Sequence, residues 1–412
     1  MTDVPNDPPA APVWARDDAF PPAPAGYGWL DVKRRQHPCD SLETLIARVR
    51  DDLHGEVLLV WTPAAANLRL PEELGEFTTA LEIARERWTR EDLAASASRL
   101  WWLGWFLTGL AGWQFFTAMA AASRWAGADG LLARAAFGLR AVRDSTLIGL
   151  LLLGFIIFGC IPWYQARKRR AEQGRWSAAS AAALLPVQRF ESWLVLQADP
   201  ITRVFLGLMT LVGICQLLSP HSVTAAGLVK IGYLHGEWWR LLTSPFLHGN
   251  IVHFLMNMAA LIYLGKRLEV LARWPHLPLV FLFAAVVGGE ASARFVTATA
   301  VGASGGLMGW LGFLIVFESL HGNLIPRPAH RRLVAGVLLT GLIGLLGYRY
   351  IDNAAHVGGL LAGMAYAVIV FPKSVSPNRP GTTLPDRVAG SAALVVLAAA
   401  AGYAVFRIAT AG

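Results

Sequence analysis

Residues 301–309 read Val301-Gly302-Ala303-Ser304-Gly305-Gly306-Leu307-Met308-Gly309, and an apolar run follows to about Phe317. A serine set among glycines ahead of an apolar run predicts a loop that turns into the first turn of a membrane-buried helix. Glycine lets the backbone turn sharply and lets another chain approach closely. A helix that starts here aims its free N–H groups at whatever lies beside Ser304, and those groups favour negative charge. A hydroxyl next to a row of amide donors suits acyl transfer. Small residues in an apolar span also serve close helix packing, so the stretch alone leaves both readings open.

Composition places this stretch in a membrane. Of 412 residues 55% are apolar and 16% charged, and mean hydropathy is positive. Several uncharged stretches approach the ~20 residues that a spanning helix needs. The expected fold class is an all-α polytopic membrane protein with a small N-terminal soluble α/β region. Net charge is +8, but the basic residues gather in short loops between spans. That distribution fits positive-inside topology and argues against nucleic-acid binding. Cys39, Cys160 and Cys215 do not suggest a disulfide framework, and the polar, proline-rich start does not read as a cleavable signal peptide.

Outward from residue 301 the chain divides by composition. Residues 1–28 are proline-rich and predict a disordered tail. Residues 29–99 predict a small cytosolic region. There Asp40 is the expected cap of a helix carrying Leu42, Leu45, Ile46 and Val49 on one face, Glu56–Trp61 reads as a strand, and Pro71 opens a further helix. Residues 100–164 predict two additional membrane helices, near 100–122 and 146–163. Arg124, Arg134, Arg140 and Arg143 lie between them in a surface helix. A basic cytoplasmic connector, 165–200, leads to a six-span core over 201–372, with spans near 201–219, 250–265, 277–297, 304–320, 332–347 and 354–371. An additional C-terminal span occupies 387–409, which makes nine in all.

Every second loop is basic: Arg167–Arg170, then Lys266, Arg267 and Arg273, then Arg327, Arg331 and Arg332, then Lys373, Arg379 and Arg387. This puts the N-terminus in the cytoplasm. The arginines near 124–143 are the one poor fit. The second, fourth and sixth core spans then run the same way and start on the non-cytoplasmic side. The second opens with His253 and Asn257, the fourth with Ser304, and the sixth with Asn353 and His356. Polar groups inside a membrane are costly and usually serve a purpose. His253 and Asn257 are four apart, so they share a helix face. Ser304 is a candidate nucleophile and His356 a candidate base. Gly359 and Gly363 form a small-residue face that would let the fourth helix approach the sixth. Asp352, one turn before His356, is either a third member or part of the loop. We read it as loop, with Asn353 as the cap. Glu290 and Arg294, four apart, predict a local ion pair. Three histidines could instead bind zinc, but no H-E-x-x-H string supplies a glutamate base, and no metal or cofactor is expected.

At these residues the chain resembles the rhomboid intramembrane serine proteases. Trp239-Arg240 looks like that family's Trp-Arg pair. His248, His253 and Asn257 fit its H-x-x-x-x-H-x-x-x-N run, Gly302-Ala303-Ser304-Gly305 its G-x-S-G, and Ala355-His356-Val357-Gly358-Gly359 with Gly363 its final A-H-x-G-G-x-x-x-G. The resemblance implies a Ser304–His356 dyad without an acidic third member, and a six-helix rhomboid core. His253, Asn257 and the Ser304 amide would bind the oxyanion. Arg240, His248, Gly302, Gly359 and Gly363 would have structural or supporting roles. The implied partners are membrane-anchored protein substrates and the lipid bilayer, with no nucleic acid. Met308 stands where many members carry an aromatic. The second functional class is a rhomboid-like pseudoprotease that binds client transmembrane helices. The basic, alanine-rich composition suggests a bacterial inner membrane.

Overall fold

Apolar runs become helices here, and side chains of Ser41, Ser145, Asn250, Asp352 and Thr383 cap the starts of five of them. A computed structural model of the chain describes residues 11–52, 55–125, 130–173, 178–348 and 350–411. Residues 1–10 of the expected disordered tail lie outside the described residues. The chain forms two compact units, one of Phe20–Gln188 with Leu345–Tyr350, the other of Met1–Ala19, Arg189–Gly344 and Ile351–Gly412.

In the first unit, strands β1 (Tyr27–Asp31), β2 (Gln36–Cys39) and β3 (Val57–Trp61) form an antiparallel sheet in the order β2-β1-β3. Helix α1 (Leu42–Arg50) lies between β2 and β3 in sequence, and its Leu45 and Val49 join Val60, Phe77 and Ala80 in a small core. Its cap is Ser41, not Asp40: the extended backbone at Ser41 lets its Oγ accept from the Thr44 amide at 3.2 Å. A short helical turn does start at Pro71.

Helix α2 (Thr78–Trp125) runs unbroken for 48 residues, so the expected division at residue 99 is absent from the backbone. No proline occurs in it and its first glycine is Gly104, so nothing interrupts the hydrogen-bond ladder. Helix α3 (Leu131–Arg143) carries Arg134, Arg140 and Arg143 of the expected surface helix, whereas Arg124 falls within α2, and Gly138 of α3 lies against Phe115. Helix α4 (Thr146–Phe155) passes through one widened turn, Ile156–Cys160, into α5 (Ile161–Gln173). The widened turn precedes Pro162, which has no N–H for the turn before it. Arg169 meets Asp92 at 2.7 Å and holds α5 along α2. Helix α6 (Ala178–Leu196) follows.

The second unit contains α7 (Pro200–Leu217), three short helices α8 (Ser222–Ala226), α9 (Lys230–Leu234) and α10 (Arg240–Thr243), then α11 (Ile251–Ala272), α12 (His276–Phe295), α13 (Ser304–Leu320), α14 (Arg327–Leu346), α15 (Asn353–Val370) and α16 (Leu384–Thr410). Helix α13 is apolar all round and buried, as such a helix must be. Its Trp310 packs with Phe205 of α7 and Phe281 of α12, and the indole N–H donates to the Leu277 carbonyl at 3.0 Å. Glu269 of α11 caps a neighbour: its carboxylate accepts from the Ile201 and Thr202 amides at 3.0 and 2.8 Å, at the start of α7.

Among the described residues, seven helices are long and apolar enough to cross a membrane: Leu147–Gln173, α7, α11, α12, α14, α15 and α16. Ser304–Leu320 is a shorter apolar helix. With it, eight of the nine expected spans have a counterpart. The stretch 100–122 is helical within α2, but it is not among those long apolar helices. Two further expectations are corrected. Helix α11 continues to Ala272, so Arg267 is not in a loop but fully buried against Glu318 of α13 at 2.6 Å. The tail is ordered from residue 11: Trp14 is buried, its indole donates to the Leu324 carbonyl at 2.7 Å, and Arg189 donates to the Trp14 carbonyl at 3.0 Å. Proline-rich composition hid a single anchoring aromatic.

Candidate active site

Three helix starts meet in the second unit. Helix α11 is capped by Asn250, whose side chain accepts from the His253 amide at 2.9 Å. His253 and Asn257 follow one turn apart. Asn257 is buried, and its amide nitrogen has no hydrogen-bond partner. A buried donor without an acceptor is costly.

The loop into α13 passes directly over this pair. Gly302 has φ +126°, and a Cβ there would lie 2.7 Å from His253 Cε1 and 3.6 Å from the Asn257 amide nitrogen. The Gly302 amide donates to the Ser244 carbonyl at 3.0 Å, which fixes the loop from its other side. Ser304, half-buried, is the first residue of α13.

Helix α15 lies against α13 at backbone distance. A Cβ on Gly359 would collide with the Gly305 carbonyl, and one on Gly363 with the Gly309 carbonyl. The offset is the same in both pairs, so the two helices run parallel in register. A Cβ on Gly305 would sit 3.6 Å from the Ala355 carbonyl. Ser304 and His356 are therefore the neighbours in sequence of two residues in contact. Asp352, not Asn353, caps α15: its Oδ1 accepts from the Ala355 amide at 2.9 Å, while Asn353 Nδ2 donates to the Gly344 carbonyl at 2.9 Å.

The expected supporting residues His248 and Arg240 are both buried. His248 is buried with its ring edge-on to those of His253 and Phe254, each 5.2 Å away. Its backbone is gripped by Gln216, which donates to the His248 carbonyl at 2.5 Å and accepts from its amide at 2.9 Å. Burial, with His253 acting in the same direction, pushes the His248 imidazole down to about 3. Arg240 is buried and donates to the carbonyls of Thr224 and Gly227 at 3.1 and 2.7 Å and to Glu237 at 2.6 Å, its guanidinium 4.5 Å from the Trp239 ring. Glu290 and Arg294 pair at 3.6 Å, and Glu290 also accepts from Tyr233. Among the described residues no three His, Cys, Asp or Glu side chains gather as a metal site. Gln216 and Ser244 are not legible in the sequence as part of this region, because each bonds a residue distant in sequence.

Fold and site together define a helical, multi-pass membrane protein with polar side chains gathered where three helices begin. Residues 235–373 match the family model described as the rhomboid domain. Rhomboid protease GluP of Bacillus subtilis is 32% identical over 184 residues, 42% of this chain and 35% of that protein. Mitochondrial RHOMBOID-like protein 6 of Arabidopsis thaliana is 34% identical over 170 residues, 38% of this chain and 53% of that protein. Human inactive rhomboid protein 2 is 35% identical over 139 residues, 33% of this chain and 16% of that protein. The chain spans at most about half the length of these relatives. Residues 235–373 therefore carry a rhomboid domain, and the chain is similar to these rhomboid proteins over that part.

Proposed function

We propose that the chain is an intramembrane serine endopeptidase that cuts transmembrane segments of membrane-anchored proteins with Ser304 and His356. The observation that carries this reading is the in-register docking of α13 on α15 through Gly305–Gly359 and Gly309–Gly363, which brings the helix starts bearing the two residues together. Ser304 Oγ attacks the scissile carbonyl and its proton passes to His356. Negative charge on the carbonyl oxygen is met by the Asn257 amide, His253 and the Ser304 N–H. His356 then protonates the leaving amine, and water, deprotonated by His356, releases the acyl group from Ser304. Neither step needs a metal or cofactor.

Helix α13 has 17 residues. At ~1.5 Å per residue that is about 25 Å, shorter than the ~30 Å hydrocarbon core. Ser304 would thus stand in a recess below the surface, reached by water from the non-cytoplasmic side. A peptide bond inside a helix is shielded, so substrates with weak helix formers near the cut are favoured. The N-terminus is assigned to the cytoplasm, and the membrane to a bacterial inner membrane. Residues 29–99, the helices over 100–164 and α16 stand outside the catalytic core.

The test is cleavage of a model single-span substrate by the purified chain, alongside labelling by a fluorophosphonate probe. The chain should cleave and take the label, and Ser304→Ala and His356→Ala should each abolish cleavage. Persistent cleavage in Ser304→Ala removes the assignment. A folded wild type that neither cleaves nor takes the label supports the pseudoprotease reading instead. Loss on chelation with recovery on zinc supports a metalloprotease.

A further inference from the structure

We propose that Lys230, Ser292 and Asp352 form a buried positioning network that fixes the first turn of α15, and with it His356, relative to the loop that leads into Ser304. The inference rests on reading Ser304 and His356 as the catalytic pair. Lys230 opens α9 and is only 8% exposed. Its ammonium donates to Ser292 Oγ at 2.5 Å, and the Ser292 hydroxyl donates in turn to Asp352 Oδ2. The other Asp352 oxygen holds the Ala355 amide, and the His356 amide donates to the Asp352 carbonyl at 3.1 Å. One end of the network therefore sets the backbone on which the histidine stands.

Its other end reaches the serine side. Leu228, two residues before Lys230, exchanges both backbone hydrogen bonds with Ala300, at 2.9 and 3.2 Å. Ala300 lies two residues before Gly302. The segment 228–230 thus touches the approach to Ser304 through its backbone and the cap of α15 through its lysine.

The chemistry of the three groups is matched. A buried ammonium and a half-buried carboxylate are each costly alone, and a hydroxyl between them accepts from one and donates to the other. Burial pushes the Lys230 ammonium down in pKa, and the Asp352 carboxylate pulls it back. A serine beside a lysine is elsewhere a nucleophile pair. Here Ser292 is 0% exposed and its proton is committed to Asp352, so no substrate reaches it.

The experiment uses the full chain in detergent, well below its melting temperature, with the model substrate and the fluorophosphonate probe. Lys230→Met leaves the half-buried Asp352 without its counter-charge. We expect kcat to fall about ten- to a hundredfold, with KM changed less than about twofold and Ser304 labelling slowed in proportion to kcat. The double variant Lys230→Met/Asp352→Asn removes both charges and keeps a capping side chain, so most of kcat should return. A folded Lys230→Met with wild-type kcat overturns the network, as does a folded double variant no better than the single one. If Lys230→Met does not fold, the double variant decides by the same criterion: kcat near wild type supports the network, and its loss overturns it. Ser304→Ala in the same assay separates the two readings. Cleavage that survives it defeats the dyad, whereas Ser304-dependent cleavage indifferent to Lys230→Met defeats only the network.

Discussion

At the scale of single residues, Gly302 is where backbone and chemistry constrain each other most tightly. Its φ of +126° strains any residue with a Cβ, and that Cβ would also lie 2.9 Å from His253 Nε2. Gly302→Ala should therefore cost about 1–3 kcal/mol of stability. It should also displace the His253 imidazole and lower kcat about tenfold or more. Thermal unfolding and substrate cleavage on the same preparation check both halves; a folded variant with unchanged kcat contradicts the second. The sequence carried this far because Gly302, Ser304, His253, Asn257 and His356 all sit in strings of fixed local spacing. Lys230 and Ser292 were out of reach because their partners lie 62 and 60 residues away along the chain. The cap of α15 was misplaced by one residue because Asp and Asn cap equally well. What separates Asp352 from Asn353 is the Gly344 carbonyl, which occupies the asparagine side chain.

At the scale of elements, both ends of α13 are held, by different means. At the serine end small residues let α15 approach. At the opposite end Arg267 of α11 and Glu318 of α13 pair at 2.6 Å with both side chains fully buried. Around them stand Glu191 of α6, 3.5 Å from Arg267, and His330 of α14, 3.3 Å from Glu318. A buried pair gives little net stability over an apolar one, but removing one partner strands the other. Glu318→Ala should destabilise the protein by about 3–5 kcal/mol, and the double replacement Arg267→Met/Glu318→Leu by much less. Reversible unfolding in mixed micelles measures both, and equal losses would show that the charges are not coupled. Arg267 had looked like a loop residue because basic residues mark loops. Its burial became visible only once α11 extended through it to a carboxylate 51 residues away.

At the scale of the whole chain, hydropathy and capping made most helices legible, while their packing was not. The segment 11–19 and helix α16 show why. Both looked like additions, one by its prolines and the other by lying outside the matched domain, yet both are packed into the second unit. Helix α16 buries Ala393, Leu397, Ala400, Ala401, Ala404 and Ile408, and its Gly390 lies against the Pro275 backbone. Near its far end, Arg407 stands 4.6 Å from the Trp239 ring, and Tyr403 meets the same ring edge-on at 5.2 Å. Trp239 is also flanked by Arg240, the residue that gathers the Thr224 and Gly227 carbonyls. Gly227 immediately precedes Leu228, which pairs with Ala300 on the approach to Ser304. A change at the end of α16 should therefore loosen the loop that it grips. Tyr403→Ala/Arg407→Ala removes two contacts worth together about 1–2 kcal/mol. The variant should lose stability by that margin, and the loop at 224–240 should exchange its amide hydrogens faster while α13 and α15 keep their protection. If protection at 224–240 stays at the wild-type level, α16 only fills space beside α7 and α12, and the loop holds its shape unaided.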